Sequence, residues 1–470
     1  MNRSHLYKTI LLFGCVLGMQ YVSGQENISL YHHKNNIEKL SFNPALYKDE
    51  KNHAQLGLFT VGVGTNSNFL YSDLIRKGTG ALADSLVIDI PKFRNALDKE
   101  NHFSVSANTS ILNFMIRTGK GNRRQNISEY PNYFGFRIRQ RLSGTFLFDQ
   151  NYIELFTKGN APFYSDLFQT GQAKIDMSAF NEVSISHGRQ LSERLWVGLR
   201  AKLLQGLFDI TTDNFSLSLQ GFELENYIDA HAQAAISVSG PISILFDENK
   251  FIKDIDTQSL DVNPFSMANP GYAFDFGLVY QIFDDMFLSV SVTDLGQISW
   301  RENVQQISLD TQYRYVPLVF DNSYDKSLED YVSPSDLFDE LTADVEDAFV
   351  WSDQKGEYTK KLPSRLFAGL QYAVNSNFDM GLTFMKSNNS FIDDTVLSFS
   401  ANMLLLNTLT FSPTYINSNG THLMGCALAL RVGSLQLFGA ISDTSVVVNP
   451  ANSYRPNVQL GLILRLEKER

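Results

Sequence analysis

The sequence predicts an all-β fold, a transmembrane antiparallel up-and-down β-barrel of about 14 strands with short helices in its loops. Three observations lead there. Residues 194–220 alternate: Leu195, Val197, Leu199, Ala201 and Leu203 share one face, and Trp196, Gly198, Arg200 and Lys202 share the other. Side chains of a strand alternate faces, so this stretch is greasy on one side and wet on the other. The start of the chain carries an export signal, yet no apolar run is long enough for a membrane helix. Finally, short turns alternate with long polar loops, as in barrels whose turns and loops lie on opposite sides of a membrane. The alternation alone would also suit a β-sandwich; the signal, the strand count and the loop asymmetry decide for lipid as the neighbour of Leu195, Val197 and Leu199.

The signal peptide is assigned to residues 1–24: Arg3 and Lys8 form the positive region, 10–19 the apolar core, and Val22-Ser23-Gly24 the small residues before cleavage. Without it Cys426 is the remaining cysteine, so no intramolecular disulfide can form. The full chain carries a net charge of −11, and losing Arg3 and Lys8 makes it about −13. That balance excludes nucleic acid as a partner. A chain with 35 Phe and 20 Tyr but no membrane helix can enter lipid only as a closed barrel, where every backbone group is paired.

Residues 25–52 read as an N-terminal segment able to plug the periplasmic end, and 53–470 as the barrel, with long loops near 65–100, 240–270 and 317–361. Polar residues at Thr212-Asp213-Asn214 read as the turn of a hairpin, and Asp294-Leu295-Gly296 as another. Helices are expected at 150–158 and 165–170, each followed by an αL-friendly stop. The loop at 321–357 holds twelve acids against Lys326 and Lys355. Within it Leu337, Phe338, Leu341 and Val345 recur at helical spacing after a Ser333-Pro334 cap, which predicts an amphipathic helix over 334–350. Its expected place is against the barrel rim, with a lid or docking surface as the alternative.

Three motifs carry a family resemblance: Ser41-Phe42-Asn43-Pro44-Ala45, residues 199–206 (LRAKLLQG), and Asp294-Leu295-Gly296-Gln297-Ile298-Ser299-Trp300. Together the chain resembles a Bacteroidota outer-membrane family of unknown function. The early Asn-Pro-Ala is similar to the start of barrels associated with type IX secretion, and the overall scale resembles the FadL group of hydrophobic-compound transporters. The resemblance implies fourteen strands with an N-terminal plug, and it carries no catalytic residue. One departure is the end of the chain, Leu466-Glu467-Lys468-Glu469-Arg470, which lacks the terminal aromatic residue of many outer-membrane barrels.

The search for chemistry ends without an enzyme. Seven histidines remain after cleavage, but no His-Glu-x-x-His or paired-cysteine spacing holds a metal, and no cofactor motif stands in a fitting context. No Gly-x-Ser-x-Gly elbow is present. The most pointed feature is a row of arginines, Arg137, Arg139 and Arg141, opposite in face to Phe134, Phe136 and Ile138. Such a row faces lipid only at high cost. With Arg200 and Lys202 it is expected to line the lumen. The favoured reading is a structural network with inward acids such as Asp229 and Asp275; the alternative is a basic lumen that attracts anions. The expected location is the outer membrane, with its lipid and the barrel assembly machinery as partners. The expected function is transport or binding of a small compound, hydrophobic on the FadL likeness. The alternative is a non-transporting barrel that anchors or shuttles secreted proteins at the cell surface.

Overall fold

The computed structural model describes residues 27–49, 53–80, 83, 85–119, 131–158, 168–222, 227–246, 252–257, 267–315, 352–354, 356–388, 394–406 and 408–466. The signal peptide and the 334–350 helix with Leu337, Phe338, Leu341 and Val345 lie outside these residues.

Fourteen antiparallel strands close on themselves. They are β1 (Ala54–Ser67), β2 (Glu100–Thr118), β3 (Asn132–Asp149), β4 (Lys174–Ser192), β5 (Leu195–Phe222), β6 (Pro270–Phe283) and β7 (Met286–Trp300). The circuit continues through β8 (Ser364–Ala373), β9 (Phe378–Asn388), β10 (Asp394–Leu405), β11 (Leu409–Ser418), β12 (Thr421–Val432), β13 (Leu435–Ile441) and β14 (Asn457–Leu466). Strand β14 then pairs with β1, Leu464 facing Leu56 and Leu460 facing Val61. Closure removes both edges of the sheet, so every strand of the wall has a partner on each side.

Alternation sets the two faces. Leu199 and Leu203 are 52% and 64% exposed on the outside, whereas Arg200 and Lys202 between them are 4% and 3% exposed inside. The turns at one end are short, at Glu193-Arg194, Asp284-Asp285 and Gly433-Ser434. The wall is uneven: β2 has 19 residues and β5 has 28, while β8 has 10 and β9 has 11. The β2–β5 side therefore rises well above the β8–β9 side. There the upper part of β5 pairs with Tyr227–Ser239, which pairs in turn with Gln305–Tyr315.

Three expectations are corrected. Thr212-Asp213-Asn214 is not a turn: β5 runs straight through it, and the register with Tyr227–Ser239 slips between Thr212 and Asn214. Asp294-Leu295-Gly296 likewise lies inside β7, where the register against β6 shifts and Asp294 takes a positive φ of 61°. Both polar trios form β-bulges, which insert a residue and re-aim a side chain while both flanks stay paired. The helix expected at 165–170 does not reach its end, because Phe168-Gln169 pair as strand with Leu219 and Ser218. The 240–270 loop contains a hairpin, Ile242–Phe246 with Ile252–Thr257. The helix at Gln150–Lys158 forms as the sequence predicts.

Residues 27–49 fill the barrel. Three asparagines organise this segment by accepting a backbone N–H two residues on: Asn27 from Ser29, Asn36 from Glu38 and Asn43 from Ala45. Each thereby fixes a tight turn, and short 3-10 helices follow at Ile28–Leu30, Ile37–Ser41 and Leu46–Asp49. Tyr31 and Phe42 pack with Phe367 of β8 at ring separations of 5.6–6.0 Å. Asn43 also donates to the carbonyls of Leu278 and Val290, 3.3 Å each. The wall makes room through Gly198 and Gly277, which face each other across β5 and β6. A Cβ on either would collide with Pro44 or Asn43, so the plug backbone lies flush against the sheet.

Candidate functional site

The lumen has two sides with different chemistry. On β3 to β7 it is ionic. Arg139 donates to Glu182 at 2.8 Å. Arg141 grips Asp294 with both terminal nitrogens at 2.8 and 3.1 Å, and its guanidinium lies 5.1 Å from the Phe180 ring. Lys202 bridges Asp275 and Asp294, 2.7 Å from each. Arg200 donates to Asp275 at 3.0 Å and to the Leu40 carbonyl of the plug at 2.7 Å. Arg137 donates to Ser41 and stands 3.6 Å from Glu38. Glu38 also accepts from Thr60 and Asn113. The bulge at Asp294 is what places its carboxylate here, and its own backbone N–H donates to Asp275.

Arg137, Arg139, Arg141, Arg200 and Lys202 are therefore brought together, all turned inward, and each meets a carboxylate. Asp275 sits among them, as the network reading requires. Asp229 does not: it pairs with Arg314 at 2.7 Å on the outer loop strands, beyond the lumen. The register explains this, because Asp229 faces Arg314 directly across the Tyr227–Ser239 and Gln305–Tyr315 pair.

The second side is formed by β9 to β12, and here a cavity of about 130 Å³ opens above the plug. Its floor is Ile28 and Phe42 of the plug with Phe367 of β8. The inner row of β11 reads Thr410, Ser412, Thr414, Ile416, Ser418, so a single aliphatic residue interrupts a polar face. The inner row of β10 reads Asp394, Val396, Ser398, Ser400, Asn402. Ile416 stands beside Leu423 in the β11–β12 register and one step from Val396 in the β10–β11 register. Val396, Ile416 and Leu423 consequently form one apolar patch at one level, extended by Ile28 and Met385. Hydroxyls of Ser104, Ser106 and Thr145 line the facing wall. At the mouth Arg455 donates to Asp394 at 2.8 Å and to Ser418, and Ser418 donates to Asp394 at 3.0 Å. Arg365, on the inner row of β8 next to Phe367, completes the charged lining.

None of these cavity residues stood out in the sequence as chemistry. The available signal was the lone aliphatic residue in an inward polar row, repeated on adjacent strands. Reading it requires knowing which strands are adjacent and in what register.

A family model described as a family of unknown function, DUF5723, matches residues 44–442. The chain belongs to this family. The match spans the motifs at 199–206 and 294–300 that carried the resemblance. No curated protein matches this DUF5723 barrel. Among solved structures it is similar to the Pseudomonas putida toluene transporter TodX, with 11% identity over 93% of this chain and 96% of that one and a TM-score of 0.43. It is similar to a Pseudomonas aeruginosa FadL homologue at 9% identity over 95% and 100% of the two chains, with a TM-score of 0.46. A monoaromatic hydrocarbon channel, CymD, matches at 8% identity over 93% and 94%, with a TM-score of 0.40.

Proposed function

We propose that this DUF5723 barrel resides in the outer membrane and binds a small hydrophobic compound above its plug, as a step in carrying it across. The observation behind this reading is the apolar patch of Val396, Ile416 and Leu423. These side chains pack on Ile28 of the plug and Met385 and also line the cavity, so a ligand there meets one apolar wall.

The test uses the full mature chain in lipid nanodiscs, with toluene binding followed by saturation-transfer NMR. Toluene should bind the native protein and bind Ile416→Ser about tenfold more weakly, as expected for losing an apolar contact in a closed pocket. Equal binding to both proteins would sink the reading. In cells, loss of surface proteins with unchanged solute uptake in a deletion strain would favour the anchor or shuttle reading instead. For the membrane setting, Leu199→Arg should impair assembly, at about 2–4 kcal/mol for a charge at mid-bilayer.

A further inference from the structure

We infer that Arg455 is the latch of a strap, residues 442–456, that closes the cavity toward the long-loop end of the barrel, and that a ligand enters when this latch lets go. The inference rests on the binding reading above, which gives the gate its cargo. The strap fills a notch in the wall. Strand β13 stops at Ile441, level with Cys426 of β12 and Val458 of β14, while β12 reaches on to Thr421 at the rim. The strap bridges the notch from both sides: the Ser442 N–H donates to the Asn457 carbonyl at 2.9 Å, and the Thr444 N–H to that of Met424 at 2.7 Å. Its returning limb extends the pairing of β14 with β1, where the Thr65 and Ser67 N–H groups donate to the carbonyls of Pro456 and Tyr454. Ser442 and Arg455 of the strap line the cavity.

Arg455 carries the strap across to the far side of the opening. It donates to Asp394 at 2.8 Å and to Ser418. Asp394 begins β10 and Ser418 ends β11, so both stand at the rim, and β12 and β13 lie between them and the strand that follows Arg455. The apolar patch lies directly beneath, because Val396 and Ile416 are the next inward residues on those two strands. The bond to Asp394 is charge-assisted, roughly twice as strong as a neutral one. The rest of the strap is lightly held. Its short helix, Ser445–Val448, buries no residue, and Val447 and Val448 are 72% and 88% exposed. Among the described residues none of the strap joins a buried apolar cluster. Asp443 accepts from the Ser445 N–H and the Ser453 hydroxyl, which ties the strap to itself and not to the wall. A segment with so little apolar burial opens locally while the rest of the fold stays intact. Its hold on the far wall through Arg455 therefore sets how often the cavity is open.

Cysteine accessibility reads the latch without any ligand. The mature chain in nanodiscs carries Cys426→Ala and Ile416→Cys, and its modification by methyl methanethiosulfonate is followed by mass spectrometry. Adding Arg455→Met should speed modification at least tenfold, the factor that ~1.4 kcal/mol represents. Ser418→Ala, which removes one neutral hydrogen bond of the latch, should speed it about threefold. Ser412→Cys in place of Ile416→Cys lies against His33 of the plug, and Arg455→Met should leave its rate unchanged. Equal rates at position 416 with and without Arg455→Met, or equal acceleration at positions 412 and 416, would overturn the latch. If Arg455→Met fails to assemble, Ser418→Ala decides alone. Toluene kinetics in the native background connect the gate to its cargo. Arg455→Met should quicken association and dissociation together and leave Kd unchanged. Faster dissociation alone would make Arg455 a part of the binding wall and overturn the gate. Toluene failing to bind the native chain would overturn the binding reading, while the cysteine rates still decide the latch.

Discussion

On β3 to β7 and on β9 to β12 the same two-residue alternation turns one row of side chains inward, and the two rows do different work. The first row carries Arg137, Arg139, Arg141, Arg200 and Lys202, and it is cemented to Glu38, Glu182, Asp275 and Asp294. On the second, β10 and β11 carry Ser and Thr rows broken at one level by Val396 and Ile416, which meet Leu423 of β12, and a cavity is left there. Long charged side chains can reach across a lumen to one another and must do so, because an unpaired charge there is expensive. Short hydroxyl and aliphatic side chains can neither reach nor attract across that distance. Rigidity therefore gathers on one side and free volume on the other.

The largest test of this contrast is Asp294→Ala. It strips Arg141 and Lys202 of a shared carboxylate, and removing one partner of a buried pair costs about 3–5 kcal/mol. Thermal unfolding of the folded barrel, followed by heat-modifiable gel migration, should show it. Ile416→Ala on the other side should cost about 2 kcal/mol, the low end for a buried aliphatic truncation, since Ile416 is buried but also lines the cavity. Equal losses from the two variants would erase the distinction between the walls.

Next in size is Phe42→Ala, at about 3 kcal/mol for an aromatic core truncation. Phe42 belongs to the plug yet packs on Phe367 beneath the cavity. Hydrogen exchange across residues 27–49 should speed up while the strands of the ionic wall stay protected. Uniform acceleration through the barrel would mean that plug and wall unfold as one unit.

His33 sharpens the comparison through pH. Burial, with Lys39 adding to it, lowers its pKa to about 3, and the ring is held by Ser412 at 2.8 Å. An undocked His33 would titrate near its ordinary value of ~6.5. Between those values the undocked segment binds a proton that the docked one does not. Docking is therefore at full strength above ~6.5 and weakens as pH falls, by up to about 1.4 kcal/mol per pH unit. Exchange at residues 27–49 should rise from pH 7.5 to pH 5, and His33→Gln should flatten that rise. A pH response that survives His33→Gln would assign it to the carboxylates of the ionic wall.

The smallest effect is expected from Asp229→Asn. Its partner Arg314 lies on the exposed loop strands, where an ion pair contributes about 0–1 kcal/mol. A large loss of stability there would show that the projecting sheet is coupled to the lumen.

Much of this architecture could be read in advance, and the misreadings share one physical origin. Period-two alternation exposed the strands, and it assigned Arg200 and Lys202 to the face opposite Leu199 and Leu203. It misjudged Thr212-Asp213-Asn214 and Asp294-Leu295-Gly296, because the residues that favour turns also favour bulges. The difference lies in whether the flanking segments pair with each other or with third strands, which no local pattern records. The inward acids show the same limit. Asp275 and Asp229 are equivalent as residues in alternating strands, yet one lies across from Arg200 in the lumen and the other across from Arg314 outside it.

By itself, the sequence determined the all-β class, the polarity of each strand face and the presence of inward-facing arginines, because these follow from the chirality and spacing of neighbouring residues. Only the tertiary structure decided that four carboxylates from the plug and three strands meet those cations, and that aliphatic residues from three strands meet at one level above Phe42. Both depend on register and closure. Those are set by the sum of pairings around the whole barrel, and no segment carries that sum alone.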